Sequence, residues 1–134
     1  MNNKFNIVIP SIKLSNELKY TLNKLNRLNH KNFFVTIVLN KKNFTKKLKF
    51  NYPLKIIISN KINMSAKRNL AVKRYFSKYV AFLDSDAYPN KDWLKNAEDL
   101  IEKKVANVVG GPSIPFENQS YFEMIAYQSK RSFF

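Results

Sequence analysis

Short apolar runs alternate along this chain with segments of helical spacing, and this alternation restricts the fold more than any other feature. The apolar runs predict five strands, at residues 5–9, 33–39, 55–58, 79–83 and 105–109. Apolar residues recur at helical spacing in the segments between them and after the last strand, at residues 14–28, 65–76, 93–101 and 120–130. Strands that are apolar throughout and separated by helices indicate an α/β fold: a mostly parallel central sheet flanked by helices on both faces.

Polar residues follow most of these predicted strands. In a sheet of this kind the ligand sits at the carboxyl ends of the strands. That rule brings several strand ends to one edge: Pro10 and Ser11, Asn40, Ser59 and Asn60, Asp84 to Asp86, and Gly110 and Gly111. We therefore expect the ligand site at this edge.

The charge of the chain is strongly positive and unevenly distributed. The formal net charge is +15; residues 1–79 carry 18 Lys and Arg with one acid, whereas residues 80–134 carry 6 with 8 acids. Most of these lysines are expected to be solvated surface, and the alternative is a basic face for anionic lipid, a polyanionic substrate or nucleic acid. With no cysteine and a single histidine, His30, expected to be solvated in a loop, only carboxylates remain as ligands for a hard cation.

Asp84 and Asp86 are the strongest candidates for such ligands. They follow a buried strand without an intervening turn, and carboxylates two residues apart in extended chain point to the same side. They would repel one another unless a cation lies between them, and Mg²⁺ or Mn²⁺ completes its shell with phosphate oxygens and water. The chemistry that this suggests is departure of a nucleoside diphosphate from a sugar. The competing interpretation is a solvated Asp-Ser-Asp turn.

Four segments of the chain carry motifs that occur together in one family of proteins. Residues 80–94, Val-Ala-Phe-Leu-Asp-Ser-Asp-Ala-Tyr-Pro-Asn-Lys-Asp-Trp-Leu, resemble the DxD region of family 2 glycosyltransferases of the Rossmann-like GT-A fold. Residues 63–71, Asn-Met-Ser-Ala-Lys-Arg-Asn-Leu-Ala, are similar to its helix start beside the donor. The opening strand at 6–11 and the Val-Val-Gly-Gly-Pro turn at 108–112 match in the same order.

The resemblance implies a role for each matching residue. Asp84 would contact the ribose or the donor sugar, and Asp86 would bind the Mg²⁺ or Mn²⁺ ion. Arg68 would lie near the donor phosphates or sugar, with Lys67 facing solvent. The nucleoside pocket would be lined by Pro10 and Ser11. At the end of the second strand the family usually has acids that read the nucleotide base, and this chain has Asn40, whose amide can still bind a base edge.

The family's catalytic base lies in an acceptor-binding region well beyond the Gly-Gly-Pro turn. We expect it beyond residue 134, because Glu117 and Glu123, the only acids after the turn, resemble surface residues. The chain is therefore predicted to be a single nucleotide-sugar-binding domain, residues 1–134, that lacks most of the acceptor-binding region.

The leading prediction is a hexosyltransferase-type glycosyltransferase that moves a sugar from a nucleotide diphosphate to an acceptor hydroxyl. Inversion, a carbohydrate or lipid-linked acceptor and a role in cell-surface polysaccharide or glycolipid synthesis are implied by the family alone. A non-catalytic donor-binding remnant and a basic nucleic-acid-binding module are the alternatives, the latter disfavoured because it shows no recognised motif. With no membrane-spanning or signal segment, we expect a cytoplasmic protein, with peripheral contact at the inner face of the membrane as a further option.

Overall fold

The first compact unit of the chain is built on a four-stranded parallel sheet. The computed structural model describes residues 3–41, 49–61, 63–111 and 125, and divides the chain into units 1–99 and 100–134. The strands are β1 (Phe5–Pro10), β2 (Phe33–Leu39), β3 (Leu54–Ile58) and β4 (Tyr79–Phe82), in the order β3-β2-β1-β4. The helices are α1 (Asn16–Leu25), α2 (Met64–Arg74) and α3 (Trp93–Glu102). All three strand pairings are parallel, which confirms the predicted Rossmann-like class.

Helix α1 covers one face of the sheet. Alternate residues of β1 and β2 point to this face and are buried with the apolar stripe of α1, among them Ile7, Ile37 and Leu22. Leu94 of α3 joins the same cluster, with Trp93 packed against it, as its place on an apolar stripe predicted. Complete burial of such side chains stabilises the fold by roughly 1.5–3 kcal/mol each.

The opposite face of the sheet packs against α2 and contains a buried polar network. Val8, Val38 and Ile57 form a small apolar cluster with Ala71 of α2. Beside it Asn6 accepts a hydrogen bond from the Thr36 hydroxyl, Oγ1 to Oδ1 2.8 Å. The Asn6 amide in turn donates to the backbone carbonyl of Tyr75, the residue that caps the end of α2, at 3.1 Å. Asn6 and Thr36 are fully buried, so this network ties the C-terminal end of α2 to the two central strands.

Capping residues set where α1 and α2 begin. Ser15 caps α1, and its hydroxyl accepts a hydrogen bond from the Leu18 amide at 3.2 Å. Helix α2 starts before the predicted Ser65, because the Asn63 side chain accepts from the amides of Ser65 and Ala66 at 2.8 and 3.3 Å. The start of α2 therefore follows the end of β3 closely and lies at the carboxyl edge of the sheet.

The predicted fifth strand at 105–109 is wrong. Helix α3 ends in a Schellman motif: the amides of Lys104 and Val105 donate to the carbonyls of Ile101 and Leu100 at 2.9 and 3.0 Å, and Lys104 takes a left-handed φ of 58°. The valines that follow are exposed, Val108 to 88 %. No strand pairs with them among the described residues, and an apolar run without a partner leaves its backbone groups to solvent.

Other predictions concern residues that the structure does not describe. Glu117, Glu123 and, apart from Ile125, the helix predicted at 120–130 lie outside the described residues. The single-domain boundary at 1–134 stays a prediction. Among the described helices, none has the length and apolar character needed to cross a membrane.

Candidate donor-binding site

The strand order creates a switch point between β1 and β4. The chain moves from β1 outward through β2 to β3 and then returns to the other side of β1 as β4. Connections therefore leave the carboxyl ends of β1 and β4 in opposite directions, and such a crevice is where open α/β sheets bind ligands. At this edge Pro10 ends β1 and Ser11 follows it, and Asp84 comes two residues after the end of β4. The structure thus places two segments of the predicted site on either side of the crevice.

Asp84, Ser85 and Asp86 form a turn. The Ala87 amide donates to the Asp84 carbonyl at 3.2 Å, which closes a four-residue turn. The Thr21 hydroxyl of α1 donates to the Ser85 carbonyl at 2.9 Å and fixes the turn to that helix. The expectation that the two carboxylates share one side of an extended chain is therefore wrong, because β4 ends at Phe82 and the turn begins two residues later. Thr21 is a site residue that the sequence analysis missed, since it lies among the apolar residues of α1.

Arg68 holds the first carboxylate of this turn. Its Nη2 donates to Asp84 Oδ1 at 2.7 Å, and its guanidinium carbon lies 5.9 Å from the centre of the Phe82 ring. The Asp84 side chain is nevertheless 69 % exposed. The Arg68 Nε–H is buried and has no hydrogen-bond acceptor among the described residues. The structure therefore brings Arg68 and Asp84 together in an exposed ion pair whose guanidinium retains an unused donor.

Lys67 does not face solvent as predicted. Its side chain is fully buried, and its Nζ donates to the Ser11 carbonyl at 2.5 Å and to Asn40 Oδ1 at 2.6 Å. Lys67 is on the same helical face as buried Ala71, one turn later, which turns the lysine toward the sheet. Burial lowers the pKa of the Lys67 ammonium. Lys67 is thus the second residue of this edge that the sequence analysis missed, and its spacing from Ala71 is the signal that could have revealed it.

The remaining predicted residues surround the end of β1. Pro10 is buried as the last residue of that strand. The Ser11 hydroxyl donates to the Lys13 carbonyl at 3.0 Å, so its proton stays within the loop. The Asn40 side chain, whose Oδ1 accepts from Lys67, donates through Nδ2 to the Lys61 carbonyl at 3.2 Å. The ends of β1, β2 and β3 are therefore linked by side-chain and backbone hydrogen bonds.

Asp86 is the second exposed carboxylate of the turn, after Asp84. Within the described ranges it accepts no hydrogen bond and forms no ion pair, and no group of three His, Cys, Asp or Glu side chains there could enclose a metal ion. An Mg²⁺ or Mn²⁺ ion would accordingly rely on one or two protein carboxylates and on ligand oxygens, which is a common arrangement for Mg²⁺. Nearby, Tyr88 packs edge-to-face on Tyr20, with ring centres 4.7 Å apart. Burial raises the pKa of Tyr88, and the charges of Tyr20 and Asp86 add to that effect.

His30 belongs to a cluster that the sequence analysis did not predict. Its Nε2 lies 3.0 Å from Glu98 Oε2, and its ring packs edge-to-face on Phe5 at 5.1 Å. Lys4 forms a second ion pair with the same carboxylate. The expectation of a solvated His30 is therefore wrong, because Glu98 and the Phe5 ring cover it; β1 begins at Phe5, so this cluster lies at the opposite edge of the sheet from Asp84.

Comparisons with known proteins bear on the fold and the family of the chain. A search of curated proteins finds no match. Solved structures of S. aureus TarS resemble the chain: TarS 1–349 at 24 % identity and a TM-score of 0.63, and TarS at 26 % and 0.65. The matches cover 86 % and 84 % of this chain but 40 % and 23 % of the respective TarS chains, so the chain spans less than half of either. TarS 1–349 in complex with UDP matches at 25 % identity and a TM-score of 0.57.

The family comparison covers nearly the whole chain. The Glycosyl transferase family 2 profile matches residues 6–133, which include all the strands and helices described above except Phe5, the first residue of β1. The similarity to TarS confirms the predicted GT-A fold. The chain belongs to glycosyl transferase family 2.

Proposed function

We propose that this chain binds the nucleotide-sugar donor of a glycosyltransferase at the carboxyl edge of its sheet. The observation that carries the proposal is the turn at 84–87, where Arg68 holds Asp84 while Asp86 stays exposed and unpaired among the described residues. The α2 N-terminus lies at the same edge, and its positive dipole end favours an anion. A diphosphate would also supply an acceptor for the buried Arg68 Nε–H.

The proposed ligand is a nucleoside diphosphate with its sugar, together with Mg²⁺ or Mn²⁺ on Asp86. When bound, the ion would neutralise charge on the departing diphosphate. The residues fit this assignment: the Asp86 carboxylate is exposed and has no partner among the described residues, and the Asp84 carboxylate is paired with the Arg68 guanidinium. TarS 1–349 has been solved with UDP and with UDP-GlcNAc, which supports a uridine nucleotide as the first ligand to test.

The transfer step itself is part of the proposal. An acceptor hydroxyl would attack the anomeric carbon, the bond from that carbon to the diphosphate oxygen would break, and a general base would take the hydroxyl proton. Inversion, a carbohydrate or lipid-linked acceptor and a cell-surface polysaccharide or glycolipid context follow from the family resemblance. A cytoplasmic location with peripheral membrane contact belongs to the same proposal.

Calorimetric titration tests the donor site directly. UDP and GDP are titrated with and without Mn²⁺ into the wild type, Asp86→Ala and Asp99→Ala; Asp99 is an exposed aspartate of α3 and serves as the matched control. We expect Mn²⁺-dependent binding that Asp86→Ala abolishes and Asp99→Ala leaves within twofold. Metal-independent binding of equal strength in all three proteins would remove the metal from the proposal.

The titration separates the alternatives when it is combined with an assay of UDP release and a measurement of nucleic-acid binding. Nucleotide binding that depends on Asp86, without release of UDP from UDP-sugar in the presence of candidate acceptors, would indicate a non-catalytic donor-binding subunit. Absence of nucleotide binding, combined with salt-sensitive binding of RNA or DNA that Asp86→Ala does not change, would replace the proposal by the basic nucleic-acid module.

A further inference from the structure

Lys67 is a buried cation whose hydrogen-bond partners in the described chain are both uncharged. Its ammonium donates to the Ser11 carbonyl and to Asn40 Oδ1, and it forms no ion pair with a described residue. A buried charge without a counter-charge is costly, because no attractive charge offsets its loss of hydration. Methionine would fill the same volume without that cost, so packing alone does not account for a lysine here.

The two acceptors of Lys67 belong to different strand ends. Ser11 follows β1 directly, and Asn40 follows β2 directly. Backbone hydrogen bonds also join these segments, from the Ser11 amide to the Val38 carbonyl at 2.9 Å and from the Asn40 amide to the Ile12 carbonyl at 3.1 Å. The ammonium thus adds a side-chain link to these two backbone hydrogen bonds where the paired strands end, and α2 supplies it from outside the sheet.

We propose that Lys67 is a positioning residue that holds the ends of β1 and β2 at the separation which the nucleoside of the donor requires. It acts through the Ser11 carbonyl and the Asn40 side chain, since its complete burial keeps it from touching the ligand. Asn40 Oδ1 accepts from Lys67 and one N–H of Asn40 Nδ2 is donated to the Lys61 carbonyl, so the second N–H of Nδ2 is the group that remains for a base. This inference rests on the proposed donor site, but its structural half is testable without a nucleotide.

The first experiment measures the link itself. Amide hydrogen exchange is followed by NMR in the wild type, in Lys67→Met and in Lys73→Met, an exposed lysine of the same helix. We expect Lys67→Met to accelerate exchange at the amides of Ser11 and Asn40 at least tenfold, with central β1 and β2 amides unchanged and Lys73→Met like the wild type. Unchanged exchange at Ser11 and Asn40 in Lys67→Met would overturn the inference.

The second experiment measures UDP affinity, with Mn²⁺ present and at a temperature where every variant is folded. Lys67→Met and Asn40→Ala are each expected to weaken UDP binding about tenfold, and the double variant about tenfold rather than a hundredfold, because the two side chains act as one unit. Lys73→Met stays within twofold of the wild type. A role confined to stability would lower the melting temperature and leave the UDP dissociation constant unchanged.

The outcomes distinguish this inference from the proposed function. Failure of the wild type to bind any nucleotide would refute the donor site, and the exchange experiment would still decide whether Lys67 links the strand ends. Normal UDP binding by Lys67→Met, or strictly additive effects with Asn40→Ala, would leave the donor site intact and overturn the positioning role.

Discussion

Replacing either side chain of the Asn6–Thr36 network is expected to lower the free energy of unfolding more than replacing an exposed polar residue. Thr36→Val removes the hydroxyl that donates at 2.8 Å and leaves the Asn6 oxygen buried without a partner, which costs about 1–3 kcal/mol. Asn6→Leu removes two hydrogen bonds and strands both the Thr36 hydroxyl and the Tyr75 carbonyl, which costs about 2–4 kcal/mol.

The two stability costs should not simply add, because the side chains of Asn6 and Thr36 contact each other. In the double variant the shared hydrogen bond is lost only once, so its cost should be smaller than the sum of the two by about 1 kcal/mol or more. Urea unfolding followed by circular dichroism measures all three values. Asn23→Ala, an exposed asparagine of α1, is the control and should change stability by no more than about 0.5 kcal/mol. Additive costs, or a Thr36→Val variant as stable as Asn23→Ala, would refute the reasoning.

Two further predictions concern the ion pair of Lys4 with Glu98 and the left-handed residue Lys104 at the end of α3. The hydrogen bond from Lys4 holds the pKa of Glu98 below its ordinary value of 4.5 against the opposing effect of burial. The ionised Glu98 carboxylate therefore stabilises the folded protein above pH 4.5, and this stabilisation is lost as the pH falls through the lowered pKa. In urea unfolding, the difference in the free energy of unfolding between the wild type and Glu98→Gln should therefore shrink as the pH falls below 5. The control Asp99→Asn should show no such trend. A difference for Glu98→Gln that stays constant with pH would contradict this prediction. Lys104→Gly should raise stability by about 0.5–1 kcal/mol in the same assay, because glycine adopts the left-handed φ of 58° without strain, and an equal gain from Lys104→Ala would show that the conformation is not the cause.

The strands that the sequence predicted correctly are those that pair with another strand of the sheet. Residues 5–9, 33–39, 55–58 and 79–83 are apolar runs that pair in one parallel sheet, so pattern and tertiary contacts agree. Residues 105–109 show a similar pattern but have no strand partner in the described part of the chain, and pattern alone does not supply one. Apolarity predicts that a segment can enter a sheet, whereas pairing decides whether it does.

The candidate site was predictable in position and less so in geometry. The rule for strand ends placed Pro10, Asn40 and Asp84 correctly at one edge, because topology alone determines which edge the loops share. It gave no information about side-chain direction. Lys67 was expected in solvent because lysines usually are, and its burial depends on the packing of Ala71 one turn later against the sheet. The same limit applies to the turn at 84–87, whose shape depends on a hydrogen bond from Thr21, 64 residues earlier.

The turn that carries Asp84 and Asp86 is attached to both layers of helices. Thr21 reaches it from α1 on one face of the sheet, and Arg68 reaches it from α2 on the other. A substitution that rotates either helix will therefore move the same carboxylates, even when it lies far from any ligand. In laboratory evolution of ligand binding at this edge of the sheet, improved variants should carry paired substitutions, one in α1 and one in α2, more often than substitutions clustered around the turn. Substitutions in α1 and α2 are therefore expected to compensate for one another, because side chains of both helices hold the same turn.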